Sequence, residues 1–357
     1  ACEMVCPAEI PIPRLILDVR ERATEAFGLP ALKSFAISRW TDPKRGERWA
    51  GLASRAAGMV SNRDGVIKHI PLQPVLTDGR SLLAPTTKPF RSQFKDVMTE
   101  PVRELSSSQV KGATVAIFPG CMTDRITPRM AEAMVRALRA AGCTVTFPPD
   151  QHCCGLVALN SGDRVHGREM AEQTIRMLES TAADWIVTNS TSCLGAMLQD
   201  YQHLFRHDTE WRERAAAQAS RLIDITTFID EHAQIASSDF PPVPSVQSVT
   251  YHDACQSHNA LGLGAGARRI IRDVLGLEIR EMADSSVCCG FGGSFSMDYP
   301  NVSSAILAKK IDNVTATGAQ VVVSDNPGCL MQIQGGLASR DQPVRVLHVI
   351  ELLAERL

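Results

Sequence analysis

Eight of the eleven cysteines in this 357-residue chain fall into two registered sets. Cys121, the pair Cys153 and Cys154, and Cys193 recur as Cys255, the pair Cys288 and Cys289, and Cys329, at offsets of 134, 135, 135 and 136. The flanks repeat too: F-P-G-C ending at Cys121 answers Y-H-D-A-C ending at Cys255, and C-C-G recurs at both pairs. Four thiolates per repeat select a soft metal centre, an iron–sulfur cluster or zinc. Structural zinc usually takes two ligands from one C-x2-4-C knuckle, which neither set contains. Adjacent cysteines on one backbone point apart, so a CC pair suits a polynuclear centre reached from several sides. The reading favours iron–sulfur clusters, with zinc as the alternative. Gly155, Gly290, Gly292 and Gly293 allow close backbone approach and N–H donation to sulfide; a plain tight turn is the other use of such glycines.

Cys143 is an internal control. Its counterpart at the repeat offset is Leu277, so it reads as a small core hydrophobe at a strand start. Disulfides are the competing use of cysteine, but no secretion signal is evident and a chain this long does not need staples. Other candidates carry less. His152 precedes one pair, and His252 with Asp253 precedes Cys255; a ligand or proton-passing role competes with a hydrogen-bonded loop histidine and an N-capping aspartate, the reading preferred. His258 and Asp298 are weaker still. Gly262, Gly264 and Gly266 follow a cysteine loop rather than a strand and do not make a nucleotide loop. Trp40 and Trp49, with Arg39, Arg45 and Arg48, read as a helical extension with tryptophan in its core rather than a partner or membrane-surface face.

The elements that must carry the cysteines are legible. Short β-branched runs at 114–118, 144–147, 185–188, 249–252, 277–280 and 320–324 alternate with helical spacing at 128–141, 167–180, 265–275 and 302–317. Helical endings at 223–231 and 346–355 echo one another. The expected fold class is therefore α/β: two pseudo-symmetric α/β repeats, each with a small mainly parallel sheet, preceded by an α-helical extension. The first repeat is assigned to 112–240 and the second to 241–357. An amphipathic helix is expected over 13–27, with a helical reading continuing over 31–68. Residues 71–111, rich in Pro, Ser and Thr, read as a linker or wrapped extension.

Composition narrows the function. With 44% apolar and 21% charged residues, and 37 basic against 39 acidic side chains, the chain is an ordinary globular protein without the basic excess of a nucleic-acid binder. No run approaches the roughly 20 apolar residues of a membrane span.

The strings F-P-G-C-M-T-D, H-C-C-G, S-T-S-C-L-G-A-M, Y-H-D-A-C, C-C-G-F-G-G-S-F-S-M-D-Y-P and D-N-P-G-C-L-M-Q-I resemble the cysteine-rich CCG-domain proteins over about residues 112–357. That family includes iron–sulfur subunits of lactate-utilisation, glycolate oxidase and anaerobic glycerol-3-phosphate dehydrogenase systems, and the B subunit of heterodisulfide reductase; the C-C-G-F-G-G-S-F and N-P-G-C blocks most resemble the lactate branch. Residues 2–7, C-E-M-V-C-P, resemble the tail of a ferredoxin run C-x2-C-x2-C-x3-C-P, as at the end of that system's ferredoxin-type partner. The chain thus resembles a fusion of two subunits, with 1–70 a truncated ferredoxin-type tail and helical segment.

The resemblance implies an iron–sulfur electron-transfer subunit, the oxidoreductase component of a complex oxidising a 2-hydroxy acid, lactate above all. It implies clusters of the 4Fe-4S type on Cys121, Cys153, Cys154, Cys193, Cys255, Cys288, Cys289 and Cys329, with FAD only on a partner. Electrons would pass to a quinone or other acceptor, and the setting would be cytoplasmic, peripheral on the inner face of the membrane. Two departures stand out. Heterodisulfide reductase closes each motif with C-x2-C, where this chain has Ala196 and Gln332, which speaks against a five-cysteine cluster. Cys2 and Cys6 match the third and fourth ferredoxin cysteines, which serve different clusters, so no cluster is expected on them without the missing upstream cysteines. The alternatives are a zinc-bearing or metal-free assembly module and a heterodisulfide-reductase-like thiol/disulfide redox enzyme.

Overall fold

The computed structural model describes residues 6–8, 10–41, 43–62, 65–70, 73–241 and 248–357. In the extension, β1 (Val66–Ile67) and β2 (Leu82–Leu83) pair antiparallel. β3 (Thr114–Ile117), β4 (Thr144–Thr146), β5 (Trp185–Thr188) and β6 (Leu222–Asp224) form a parallel sheet in the spatial order β4-β3-β5-β6. β7 (Ser248–Tyr251), β8 (Glu278–Ile279), β9 (Val321–Ser324) and β10 (Arg345–His348) form a second, ordered β8-β7-β9-β10. Counted within each repeat, both orders are 2-1-3-4. The duplication seen in the cysteines is therefore a duplication of topology, and the α/β expectation with two repeats holds.

Parallel strands covered on both faces read as continuous apolar runs, and alternation divides their side chains between two environments. Val115 and Ile117 of β3 and Val321 and Val323 of β9 enter one core common to both halves. Ala116 and Phe118 pack outward under the first half's own helices, and Val322 under the second's. Helices cross the seam: Val349–Ala354, at the end of the second half, packs on Pro128–Ala140 of the first, while Ile225–Thr227 packs on Ala265–Arg269 of the second. The repeats thus complete one another's core.

Several expectations are corrected. The endings at 223–231 and 346–355 are not wholly helical; each opens with a strand, β6 and β10. Asp224 and His348 end those strands and cap the helices that follow, so no turn residue marks the boundary. The linker-or-extension assignment of 71–111 is not among these corrections; that stretch contains β2 and the helix Phe90–Thr99, whose Phe90 and Val97 are buried. The helical reading of 31–68 stops at Val60, followed by β1. Helix Ile12–Phe27 confirms 13–27, but it docks by its polar side: Arg20 donates to Asn160 O at 2.9 Å, Glu21 pairs with Arg164 at 3.0 Å and Asp18 with His203 at 3.2 Å. Its Leu15, Val19 and Phe27 are exposed. Trp49 is not core either; it is 46% exposed and meets Phe35 edge-on at 5.4 Å. The side chain of Trp40 lies outside the described residues.

His348 ties the halves together and makes the seam acid-sensitive. Its Nε2–H donates to Asn189 O at 3.0 Å while Nδ1 accepts from Ile350 N at 3.0 Å, which requires the neutral ring. Burial pushes its pKa down to about 4. Below about pH 6.5 the unfolded chain gains a proton that the folded one refuses, so stability falls as pH drops towards 4. The full loss is roughly 3 kcal/mol. Asp325, raised by burial to about 7, gains its proton over the same range in both proteins, so the difference between wild type and His348→Gln in urea unfolding from pH 7 to 4 should carry this loss.

Candidate metal centres

In an open parallel sheet, ligands bind beyond the carboxyl ends of the strands where the strand order switches direction. Here the switch lies between β3 and β5 in the first half and between β7 and β9 in the second, and the cysteines sit there. Cys121 lies on the short helix Gly120–Arg125 after β3, and Cys193 on Thr191–Gly195 after β5. The pair Cys153 and Cys154 follows β4 from the flank. Cys255 follows β7, Cys329 lies on Pro327–Ser339 after β9, and Cys288 and Cys289 follow β8. Capping fixes the helix starts: Ser190 Oγ accepts from Cys193 N at 3.3 Å, and Asn326 Oδ1 accepts from Gly328 N at 3.0 Å.

Each CC pair turns at a left-handed glycine, Gly155 at φ 86° and Gly290 at φ 88°. A side chain there would also collide: a Cβ on Gly155 would lie 3.0 Å from Gly167 O, and one on Gly290 2.6 Å from Ser303 O. At the second turn the glycine N–H donates to sulfur, Gly290 N to Cys288 Sγ at 3.3 Å, and at the first the Gly155 backbone helps to lower the pKa of Cys153. The acceptor is thus a cysteine sulfur of the pair itself.

The sulfurs link in the same sequence in both halves. Cys121 meets Cys153, Cys153 meets Cys154 and Cys154 meets Cys193. Likewise Cys255 meets Cys288, Cys288 meets Cys289 and Cys289 meets Cys329. Cys153 and Cys288 are pulled well below the ordinary thiol range, chiefly by hydrogen bonds from Cys121 and Cys255; Cys154 and Cys289 are pushed up by the sulfurs on either side and by burial. Crowded thiols that share protons in this way are a donor set suited to a cation. All ten described cysteines are free.

Both sets open into one cleft of about 1920 Å³, whose walls include all eight of these sulfur residues. Cys6 also lines it; Cys2 lies outside the described residues. Cys143 is elsewhere, 7% exposed in the shared core with its sulfur 3.7 Å from Val110 O. A buried polar bridge joins the sets: Asn326 Nδ2 donates to Thr191 Oγ1 at 3.0 Å and to Ser192 Oγ at 2.6 Å, and Ser257 Oγ lies 2.7 Å from Asp325 Oδ1 and 2.8 Å from Thr191 Oγ1.

A cysteine-rich domain model, CCG, matches residues 115–198 and 249–334, the two segments that hold these sets. Lactate utilization protein A of Exiguobacterium is 37% identical over 243 residues, 68% of this chain and 97% of that one. The chain belongs to the cysteine-rich CCG family. A probable glycolate oxidase iron-sulfur subunit of Bacillus subtilis is 31% identical over 99% of this chain and 80% of its own. A lactate utilization protein A 2 of Bacillus cereus is 32% identical over 68% of this chain and 98% of its own. A hypothetical protein from Helicobacter pylori superposes with a TM-score of 0.48 at 8% identity, over 95% of this chain and 76% of that one.

Beside the CCG cysteines, His252 is hydrogen-bonded as expected of a loop histidine, and it also lies close to two of the sulfurs. It is fully buried, holds Ser285 O through Nδ1 at 2.9 Å, and has a ring nitrogen within 4.8 Å of the sulfurs of Cys289 and Cys329. Nε2 of His252 and Nε2 of His152 are buried without a partner, one in each half. Asp253 does not cap a helix; it pairs with Arg268 through both oxygens at 2.8 Å. Asp298 is held by Lys33 at 2.6 Å, and Gly264 and Gly266 only open the helix Ala265–Arg269. Sequence reasoning missed Tyr201, whose hydroxyl donates to Cys154 O at 2.7 Å, and also Arg80, Lys310 and Asp325. A lysine or arginine in a polar stretch carries no mark of burial.

Proposed function

We propose that this CCG protein is the iron–sulfur electron-transfer subunit of a system that oxidises a 2-hydroxy acid, lactate above all. The observation that carries the reading is the paired arrangement: two equivalent four-cysteine sets, each at its sheet's switch point, facing one cleft. Similarity to lactate utilization protein A and to a glycolate oxidase iron-sulfur subunit supports the substrate class. In this proposal the first centre is held by Cys121, Cys153, Cys154 and Cys193, and the second by Cys255, Cys288, Cys289 and Cys329. The donor chemistry fits, since soft sulfurs with backbone N–H groups aimed at them are what an iron–sulfur centre requires. When bound, such a centre of the 4Fe-4S type accepts and releases single electrons. The protein's residues hold the sulfurs in register, bury Cys153, Cys154, Cys289 and Cys329, and leave the cleft open to an acceptor. Substrate oxidation and any flavin belong to a partner subunit, and a quinone is the acceptor proposed.

The division into a ferredoxin-type tail at 1–70, an extension at 71–111 and repeats at 112–240 and 241–357 is part of the same proposal. So is a cytoplasmic setting at the inner membrane face. Free cysteines in every described position suit a reducing compartment; among the described residues no helix is long and apolar enough to cross a membrane.

The His252, Cys289 and Cys329 grouping favours zinc as a second reading. Acceptor chemistry is tested by reducing the anaerobic protein with dithionite and adding either a water-soluble quinone or a small organic disulfide. Reoxidation by the quinone alone is expected. Reoxidation by the disulfide alone would replace this reading with a thiol/disulfide redox enzyme.

A further inference from the structure

The two cysteine sets share topology and sulfur linkage, but their charged surroundings differ. Gly155 packs on Gly167 and Met170 as Gly290 packs on Ser303 and Ile306, and the same spacing places Lys310 opposite Thr174. Lys310 is 2% exposed. Its ammonium donates to Asp284 O at 2.6 Å and Ser285 O at 3.2 Å, makes no ion pair among the described residues, and interacts with Cys288, Cys289 and Cys329. Thr174 is neutral, so the first set has no equivalent cation.

A second cation arrives from the extension. Arg80 is 1% exposed and also makes no ion pair among the described residues. Its guanidinium donates to Ser303 Oγ at 3.1 Å, Gln332 Oε1 at 3.3 Å and Ser296 O at 2.5 Å. Gln332 is one helical turn beyond Cys329 and lines the same cleft; the residue at the matching place after Cys193 is Ala196. Over the first set the extension lays apolar groups instead: Leu29 and Ile37 pack with Cys121, Cys153 and Met170.

Charged neighbours stand beside both sets. Arg91 and Arg125 lie near the first set, where both face the buried carboxylate of Asp124, at 2.7 and 3.9 Å, and Arg125 also interacts with Cys121. Near the second set, Asp253 is neutralised by Arg268. Asp325, hydrogen-bonded by Ser257 and Tyr251, interacts with Cys329, and Asp284 interacts with Lys310; among the described residues Lys310 and Arg80 are still without an ion pair, whereas Arg91 and Arg125 are held by Asp124.

Reduction adds negative charge, which buried cations favour and an apolar, uncharged cover disfavours. Resting on the iron–sulfur reading, we propose that Lys310 and Arg80 hold the second set at a higher reduction potential than the first, so that under partial reduction the electron resides at the second set. Lys310 and Arg80 are in this sense positioning residues for charge, acting on the centre without ligating it.

The test is an EPR-monitored redox titration of full-length, anaerobically reconstituted protein, with iron and acid-labile sulfide measured first. Absence of iron would defeat the iron–sulfur reading itself. With iron present, two components of different midpoint are expected, the higher being the one lost in Cys329→Ser. Lys310→Met should raise the oxidised-to-reduced ratio of that component at its former midpoint about tenfold, about 59 mV for a one-electron couple. The other component should stay in place, and Lys310→Arg should restore the original value. Arg80→Gln, with Arg80→Lys as its conservative control, should shift the same component in the same direction and decides the matter if Lys310→Met does not accumulate. Coincident midpoints in the wild type, or variants that move neither component or both equally, would overturn the proposal while leaving the iron–sulfur reading intact.

Discussion

Cys154→Ser and Cys289→Ser are each expected to remove about half of the bound iron, while Cys143→Ser leaves iron content unchanged. The half follows from two sets of equal size. Cys154 and Cys289 occupy the same place in their linkages, between the other sulfur of the pair and the cysteine of the third strand's loop. Each is buried, at 3% and 1% exposure, so no water can substitute for a lost sulfur without opening the site. Cys143 is also buried, but it lies just before β4 in the shared core, where burial pushes its thiol up to about 12 and nothing draws it towards a cation. A serine hydroxyl there can still reach Val110 O, so the variant should lose only about 1 kcal/mol of stability. Iron per chain, measured on the three variants purified side by side, checks this. Equal losses from all three would show that ligation had been confused with packing.

Gly335→Val is expected to be the most damaging substitution outside the cysteine sets. A Cβ at Gly335 would lie 2.0 Å from the backbone oxygen of Ser81, and Ser81 N donates to Gly335 O at 3.0 Å. The segment that carries Arg80 into the protein, just before β2, therefore runs against bare helix backbone, and neither partner is a flexible side chain that could move aside. Lifting it would break that hydrogen bond and withdraw Arg80 from Ser296, Ser303 and Gln332. Overpacking costs about 1–3 kcal/mol, and stranding the buried acceptors adds to it. Gly58→Ala is the matched control. Gly58 lies in the helix Pro43–Val60 with nothing within 4 Å of its Cβ position, so alanine should stabilise by about 0.5–1 kcal/mol. Urea unfolding of both variants beside the wild type separates close packing from helix propensity.

What could be foreseen from residue types depended on punctuation. The strands β3, β5, β7 and β9 are β-branched runs that end at cysteine loops, and spacing alone placed them. β6 and β10 went unseen because Asp224 and His348 each serve as the last strand residue and as the cap of the next helix, so helical periodicity begins with no break. The segment around Arg80 reads as linker because its prolines, serines and threonines describe local backbone and say nothing about what it lies against. The cysteine sets were fully legible, since duplication makes each position check the other. Lys310 was not, because in helical periodicity it looks like any solvent-facing lysine. Its role appears only when the repeat aligns it with Thr174 and the fold buries it beside sulfurs some twenty residues earlier in the chain.

The central claim is that the eight paired cysteines hold iron and sulfide. Quantifying iron, zinc and acid-labile sulfide in full-length protein purified without oxygen tests it most directly. Iron and sulfide are expected in near-equal amounts, in a brown protein that bleaches on reduction, with about half of each element lost in Cys154→Ser and in Cys289→Ser. A colourless protein with stoichiometric zinc and no sulfide would contradict it.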